Sequence, residues 1–254
     1  MLYRFLPDNI KTVISPFIGA GSFEIFLALK GIKVIGYDIL LPLVYAWQAV
    51  RENMEYVGDI LLSLPRDKNT FYETRDVIME VQNSKSYLSG EEKYKVGAYF
   101  IYHMTMCHGP VVFGNPSEIK LNTVNFKGYI QRITRYKTAF LNIEVHFGDF
   151  TETIPKHSHD FLFMDPPYYT AKGLYVGHNA FDHEKLSHFV KQHQGLFLIT
   201  YDNCPEVRQL YQDFYIRDDI EWQYYMNGGV KQLKKKSREL LIANYNIENI
   251  CLPN

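Results

Sequence analysis

Apolar positions follow two rhythms along the chain. Short apolar runs rich in β-branched and aromatic residues predict strands at Thr12-Val13-Ile14-Ser15, at Lys33-Val34-Ile35-Gly36-Tyr37 ending on Asp38, at Ile143–Phe147, at 160–164 and at 196–200. Apolar positions at helical spacing predict helices at 23–30, 183–194 and 205–213. The stretch from Pro42 to Leu141 departs from this alternation. Strand signals are few there, and helical patterns cover 67–82, Gly90–Met106 and 126–141, the last with Asn125 as a candidate cap. The chain closes with strand signals at 215–220, 221–226 and 239–245 around a turn at Asn227-Gly228-Gly229. That pattern predicts antiparallel strands at one side of an otherwise parallel α/β sheet.

Composition changes this picture little. A chain of 254 residues, 46% hydrophobic and 15% aromatic, fits one large α/β domain with an insertion. No apolar run reaches the roughly 18 residues of a spanning helix, and the start lacks a signal-peptide pattern. A soluble, cytoplasmic protein with no membrane partner is expected. Cys107, Cys204 and Cys251 are scattered, which predicts neither a disulfide framework nor a zinc site. His157, His159, His183 and His188 lack metal-ligand spacing, so no metal is expected. The formal net charge of −1 does not advertise a nucleic-acid binder, although a local basic face matters more than the total.

The richest chemistry lies at Asp165-Pro166-Pro167-Tyr168, directly after the apolar run Phe161-Leu162-Phe163-Met164. Two prolines supply no N–H and fix φ, so the chain leaves the sheet at Asp165 in a stiff, extended form. A carboxylate, a proline carbonyl and an aromatic ring are thereby offered at the carboxyl end of a strand, where open α/β sheets bind ligands. The acid and carbonyl can accept both N–H groups of a planar amine while the ring stacks on the attached base. A plain strand-ending turn is the alternative reading.

Two further strand ends carry acids. Pro16-Phe17-Ile18-Gly19-Ala20-Gly21-Ser22 joins a strand to a helix, and its glycines allow a tight turn with close ligand approach. Asp38, followed by Ile39, ends the next strand and suits a ribose diol. Glu24 stands where a dinucleotide fingerprint has its third glycine, and no P-loop pattern occurs, so a nucleoside without a pyrophosphate fits better. S-adenosylmethionine is such a molecule. Gly148-Asp149-Phe150 closes a third strand, with Asp149 read either as an acceptor for an adenine amine beside Phe150 or as a helix N-cap beside a core Phe.

Taken in order, Pro16-Phe17-Ile18-Gly19-Ala20-Gly21, Asp149-Phe150, Asp165-Pro166-Pro167-Tyr168, Phe181-Asp182-His183-Glu184-Lys185-Leu186 and Glu239-Leu240-Leu241-Ile242-Ala243-Asn244-Tyr245 resemble the Dam-type, D12-class DNA adenine-N6 methyltransferases. The resemblance runs from about Val13 to Tyr245 and is patchy between Pro42 and Leu141. It implies a class I S-adenosylmethionine-dependent methyltransferase fold: Rossmann-like, with a mostly parallel seven-stranded sheet, a terminal antiparallel hairpin and a helical inserted subdomain. Residues 1–45 and 142–254 would form the catalytic domain, and 46–141 the target-recognition insertion. The methyl-donor residues would be Pro16, Phe17, Ile18, Gly19, Ala20, Gly21, Ser22, Asp38, Ile39, Asp149, Phe150 and Asp165. The catalytic set would be Asp165, Pro166, Pro167 and Tyr168, acting on an adenine flipped out of double-stranded DNA. Protein glutamine methyltransferases use Asn, and cytosine-N4 enzymes typically Ser, where this chain has Asp165.

Candidate DNA-contacting residues are Arg132 and Arg135 in the insertion, and Lys231, Lys234, Lys235, Lys236 and Arg238 beside the closing turn. Residues 169–180, with Gly173 and Gly177, read as a lid over the flipped base or as a surface loop. Cys107-His108-Gly109-Pro110 reads as a structural turn. The resembled family begins with a G-G-K-containing segment that closes the donor pocket, whereas this chain starts at Met1-Leu2-Tyr3-Arg4-Phe5-Leu6-Pro7. That start favours a catalytically weak DNA-binding or partner subunit as the alternative to an active DNA enzyme, and an RNA base methyltransferase stays open as a third reading. A cognate restriction endonuclease or second subunit is a further expected partner.

Overall fold

Parallel strands buried on both faces read as continuous apolar runs, and that is how the centre of the sheet is built. In a computed structural model, β1 (Thr12–Ser15), β2 (Lys33–Asp38), β3 (Ile143–Phe147), β4 (Leu162–Met164), β5 (Phe197–Asp202), β6 (Tyr215–Tyr225) and β7 (Lys234–Ala243) form one sheet of order β3-β2-β1-β4-β5-β7-β6. The structure describes residues 2–109, 112–170, 181–225 and 234–247, without the side chains of 220–238. β1 to β5 run parallel, and β7 pairs antiparallel with both β5 and β6. Val13, Ile14, Leu162, Met164, Phe197 and Ile199 are at most 1% exposed. Each such side chain stabilises the sheet by about 1.5–3 kcal/mol. The expected mostly parallel sheet with a closing antiparallel pair is thus present.

Strand order creates the crevice. The chain moves from β1 outward to β2 and β3, whereas β4 returns to β1's other side and leads to β5. Loops leaving β1 and β4 therefore diverge, opening a cleft between their carboxyl ends.

Ten helices are described: α1 (Ser22–Leu29), α2 (Leu41–Ser63), α3 (Lys68–Ser84), α4 (Gly90–Met106), α5 (Glu118–Thr123), α6 (Phe126–Thr134), α7 (Lys137–Leu141), α8 (Phe150–Lys156), α9 (His183–Gln192) and α10 (Pro205–Leu210). None is long and apolar enough to cross a membrane. Asp67 and Asn125 cap α3 and α6 by accepting from Thr70 and Gly128 backbone N–H groups at 2.8 and 3.0 Å. The single helix expected at 126–141 is two. Its apolar stripe, Phe126-Tyr129-Ile130-Ile133, should continue at 136 or 137, where Tyr136 is exposed and Lys137 is polar. The turn tightens instead through Arg135 and Tyr136 N–H bonds to the Arg132 and Ile133 carbonyls.

α2 was legible only as part of a helical stretch. Its first half lies on the sheet, where Gln48 Nε2 donates to the Val145 carbonyl at 2.8 Å and Arg51 pairs with Glu144. It bends at Asn53, whose φ of −150° and ψ of 66° leave the helical region. The helix runs across the expected boundary between residues 45 and 46. Beyond the bend, Phe71 and Ile78 of α3 and Tyr102 of α4 join the apolar cluster that holds Val13 and Val34 of the sheet. The inserted helices thus extend the core of one sheet face. The other face buries Ile14, Leu162 and Met164 against Leu186 and Val190 of α9.

Candidate active site

The turn after β1 is shaped by its glycines. Gly19 and Gly21 have φ of 45° and 63°, the left-handed region that glycine adopts without a Cβ penalty. Gly21 N–H closes the turn onto the Ile18 carbonyl at 2.8 Å, and Trp47 of α2 supports it from below, donating its indole N–H to the Gly19 carbonyl at 2.9 Å. A Cβ on Gly21 would lie 2.5 Å from Trp47 Cζ2, so a side chain is excluded there. Over Gly19 a Cβ would meet none of the described residues within 4 Å, which offers an open face for a ligand.

Asp38 binds the same turn. Its Oδ2 accepts from Gly19 N–H at 3.1 Å and its Oδ1 from Leu40 N–H at 2.9 Å. Burial raises its pKa, and the Leu40, Gly19 and Ile39 N–H groups oppose that rise. Ile39 beside it is 49% exposed, an apolar surface at the rim that a base can cover. Pro16 and Ile18 are buried, Phe17 is half-buried, and Ala20 and Ser22 are exposed. An acid for a diol, an open glycine face and an apolar rim fit a nucleoside donor.

Asp149 is the N-cap of α8: its Oδ1 accepts from Thr151 N–H at 2.9 Å and Thr151 Oγ1 at 2.6 Å. Phe150 is 7% exposed and packs on Phe17 and Phe181, with ring centroids 5.8 and 5.4 Å away. The capping alternative raised by the sequence is therefore the arrangement found for Asp149 Oδ1.

Asp165 follows β4 at the cleft. Its Oδ1 accepts from Thr200 Oγ1 at 2.7 Å, across from it on β5. The residue sits in a recess: part of its surface is open, yet enough protein surrounds it that lost hydration raises its pKa, against hydrogen bonds from Thr200 and Tyr168. Pro166 is buried, and Pro167 and Tyr168 are half-buried, with the Tyr168 ring 6.3 Å from that of Tyr201. Glu24, on the first turn of α1, is 3% exposed and accepts from Ser15 Oγ at 2.7 Å. Its pKa is pushed up to about 7, chiefly by burial, while Ser15 and its own N–H lower it and the charge of Asp165 adds to the rise. The donor-side helix and the acid of the proline segment are therefore electrostatic neighbours.

The structure brings Asp38, Gly19 and Gly21 to one side of the cleft and Asp165 to the other. It separates the basic candidates. Arg132 and Arg135 are exposed, but α6 packs on the later half of α2, with Ile130 against Gly58. The next helix, α7, feeds the start of β3, at the sheet edge opposite Asp165. Lys234, Lys235, Lys236 and Arg238 lie on β7, opposite Tyr225, Tyr224, Gln223 and Glu221, so the strand begins earlier than expected. Their side chains, Lys231 and the closing turn lie outside the described residues, as do 171–180 of the expected lid. Trp47, Thr200, Glu24 and Asp202 were given no part in the site by the sequence. Asp202 carried the same signal as the acids that were: it ends a strand.

This sheet order, with a glycine turn after β1 and a proline-punctuated acid after β4, is that of a class I methyltransferase. Residues 2–226 match the D12 class N6 adenine-specific DNA methyltransferases, and the chain belongs to that family. A Type II methyltransferase of Methanocaldococcus jannaschii, M.MjaIII, is 25% identical over 93% of this chain and 89% of its own length. Adenine-N6 methylation of DNA is accordingly the activity of this chain.

Proposed function

We propose that the β1 side of the cleft holds S-adenosylmethionine and that the β4 side holds the target adenine by its amine. The observation that carries this reading is the placement of Asp165, fixed by Thr200 at the cleft and close enough to α1 for its charge to oppose that of Glu24. On the donor side, Asp38 receives the ribose diol, Gly19 leaves room for the backbone to approach, and Ile39 covers the base.

S-adenosylmethionine supplies an electrophilic methyl group. The chain's residues make the amine receptive to it. The adenine N6 lone pair is delocalised into the ring, and hydrogen bonds from its N–H groups to Asp165 and to the Pro166 carbonyl favour a pyramidal nitrogen with its lone pair directed outward. With its lone pair so directed, N6 would take up the methyl group that the donor supplies, and the one proton it gives up would pass to solvent. Positioning and electrostatics carry most of the rate. Tyr168, tied to Asp165, offers its ring to the flipped base. For phosphate contact the β6–β7 strands are the better surface, since Arg132 and Arg135 lie towards the opposite sheet edge. The Type II naming of the relative supports a restriction–modification setting with a cognate endonuclease.

Transfer of labelled methyl from S-adenosylmethionine to unmethylated duplex DNA, followed by nucleoside analysis, tests this reading. Label in N6-methyldeoxyadenosine is expected. Label only in RNA, or in cytosine, would overturn it.

A further inference from the structure

Asp202 closes β5 two residues beyond Thr200, so both side chains project from the same face of the strand. Thr200 holds Asp165. Asp202 holds the other end of the same segment: its Oδ1 accepts from Tyr169 N–H and its Oδ2 from Thr170 N–H, each at 2.9 Å. Pro166 and Pro167 have no N–H to give, so this stretch leaves the sheet with no ladder bonds of its own. The two N–H groups captured by Asp202 are among the first backbone donors after the prolines. An ionised carboxylate suits them, with one oxygen for each donor. The Tyr169 ring then rests 4.8 Å from that of His183, whose Nδ1 is hydrogen-bonded to the buried Tyr201 hydroxyl. The end of β5 is thus a template that fixes both ends of residues 165–170.

We propose that Asp202 is a positioning residue for methyl transfer, setting the course of residues 165–170 so that Asp165 and Tyr168 meet the target base in register. The inference rests on reading that segment as the amine clamp. Both Asp202 oxygens are engaged by backbone N–H groups, and it acts through the backbone of Tyr169 and Thr170. Losing it should lower turnover without loosening the donor, because Asp38 and Gly19 are held independently.

The test compares Asp202→Ala and Asp202→Asn with wild type on unmethylated plasmid DNA, alongside calorimetric S-adenosylmethionine affinity and thermal unfolding. Asp202→Ala should lower kcat about 100-fold, the scale of a small misplacement of reacting groups. The KM and Kd for S-adenosylmethionine should stay within about twofold, because no donor contact is removed. Asp202→Asn, which keeps the shape and one acceptor, should fall between; it also decides the matter if the alanine variant does not fold. Turnover within about threefold of wild type in Asp202→Asn and Asp202→Ala alike would overturn the proposal, as would a loss of donor affinity that matches the loss of rate. Asp165→Ala separates the two readings. If it is inactive while the Asp202 variants are normal, only the role of Asp202 fails. If it turns over normally, the amine clamp itself fails.

Discussion

The carboxyl edge of the sheet and helix α4 of the insertion hold polar side chains in opposite ways. At the edge, Asp38, Asp165 and Asp202 each have named N–H or hydroxyl donors within 3.1 Å. In the insertion, His103 of α4 has no exposed surface, and neither ring nitrogen has a hydrogen-bond partner among the described residues. Its ring lies 4.4 Å from that of Phe71. Burial and the charge of Arg75 lower its pKa to about 4, so it is neutral near pH 7. Geometry is specified atom by atom at the edge. Around His103, apolar packing decides the structure and carries an unsatisfied polar group as a cost, while Thr74 Oγ1 and Tyr102 OH elsewhere in the insertion donate to backbone carbonyls.

Glycine substitutions sharpen that difference most. Gly21 in the edge turn and Gly90 at the start of α4 both have left-handed φ, 63° and 56°. Only Gly21 has Trp47 where its Cβ would go; Gly90 has none of the described residues within 4 Å. Gly90→Ala should cost the conformational strain alone, about 1–2 kcal/mol. Gly21→Ala adds a clash of about 1–3 kcal/mol and displaces the donor turn. Thermal unfolding and donor titration should therefore show lost stability in both variants and lost donor affinity in Gly21→Ala alone. Equal donor affinity in the two would break the comparison.

The pH dependence of stability should differ in sign between the regions. Glu24 has a folded pKa near 7, above its ordinary 4.5, so the folded state binds the extra proton. Its contribution is complete below 4.5 and is lost as pH rises through 7, on the order of 3 kcal/mol. His103 has a folded pKa near 4, below its ordinary 6.5, so its contribution is present above 6.5 and lost as pH falls through 4. Denaturant unfolding from pH 4 to 8 should show Glu24→Gln removing part of the decline on the alkaline side. His103→Leu should remove part of the decline on the acid side. Unchanged pH profiles in both variants would show that neither group is buried as described.

The edge was legible in the sequence because its rule is local: an apolar run that closes on an acid. Asp38 and Asp165 follow that rule, and so does Asp202, which was missed because the strand was expected to stop at Thr200. Asp149 obeys the rule too, yet its side chain caps a helix, so the pattern finds strand ends without fixing each acid's task. Trp47 could not be read. Its bond to the Gly19 carbonyl spans 28 positions, and it depends on how α2 lies across the sheet. Within the insertion, helix periodicity located α3 and α4, but it carries no record of which faces meet. The break before Lys137 is local, set where the apolar stripe lapses at Tyr136 and Lys137, and at the bend Asn53 Oδ1 accepts from Tyr56 N–H at 3.2 Å.

The central claim is a division of labour across the cleft, with the donor on Gly19 and Asp38 and the amine on Asp165. Single-turnover methyl transfer to unmethylated duplex DNA by Asp165→Asn, measured beside its S-adenosylmethionine affinity, tests it most directly. Donor affinity should stay within about twofold of wild type, while the transfer rate falls by about 10³, the scale of losing one preorganised electrostatic contact. A near-normal rate, or a loss of donor affinity in step with the loss of rate, would contradict the account.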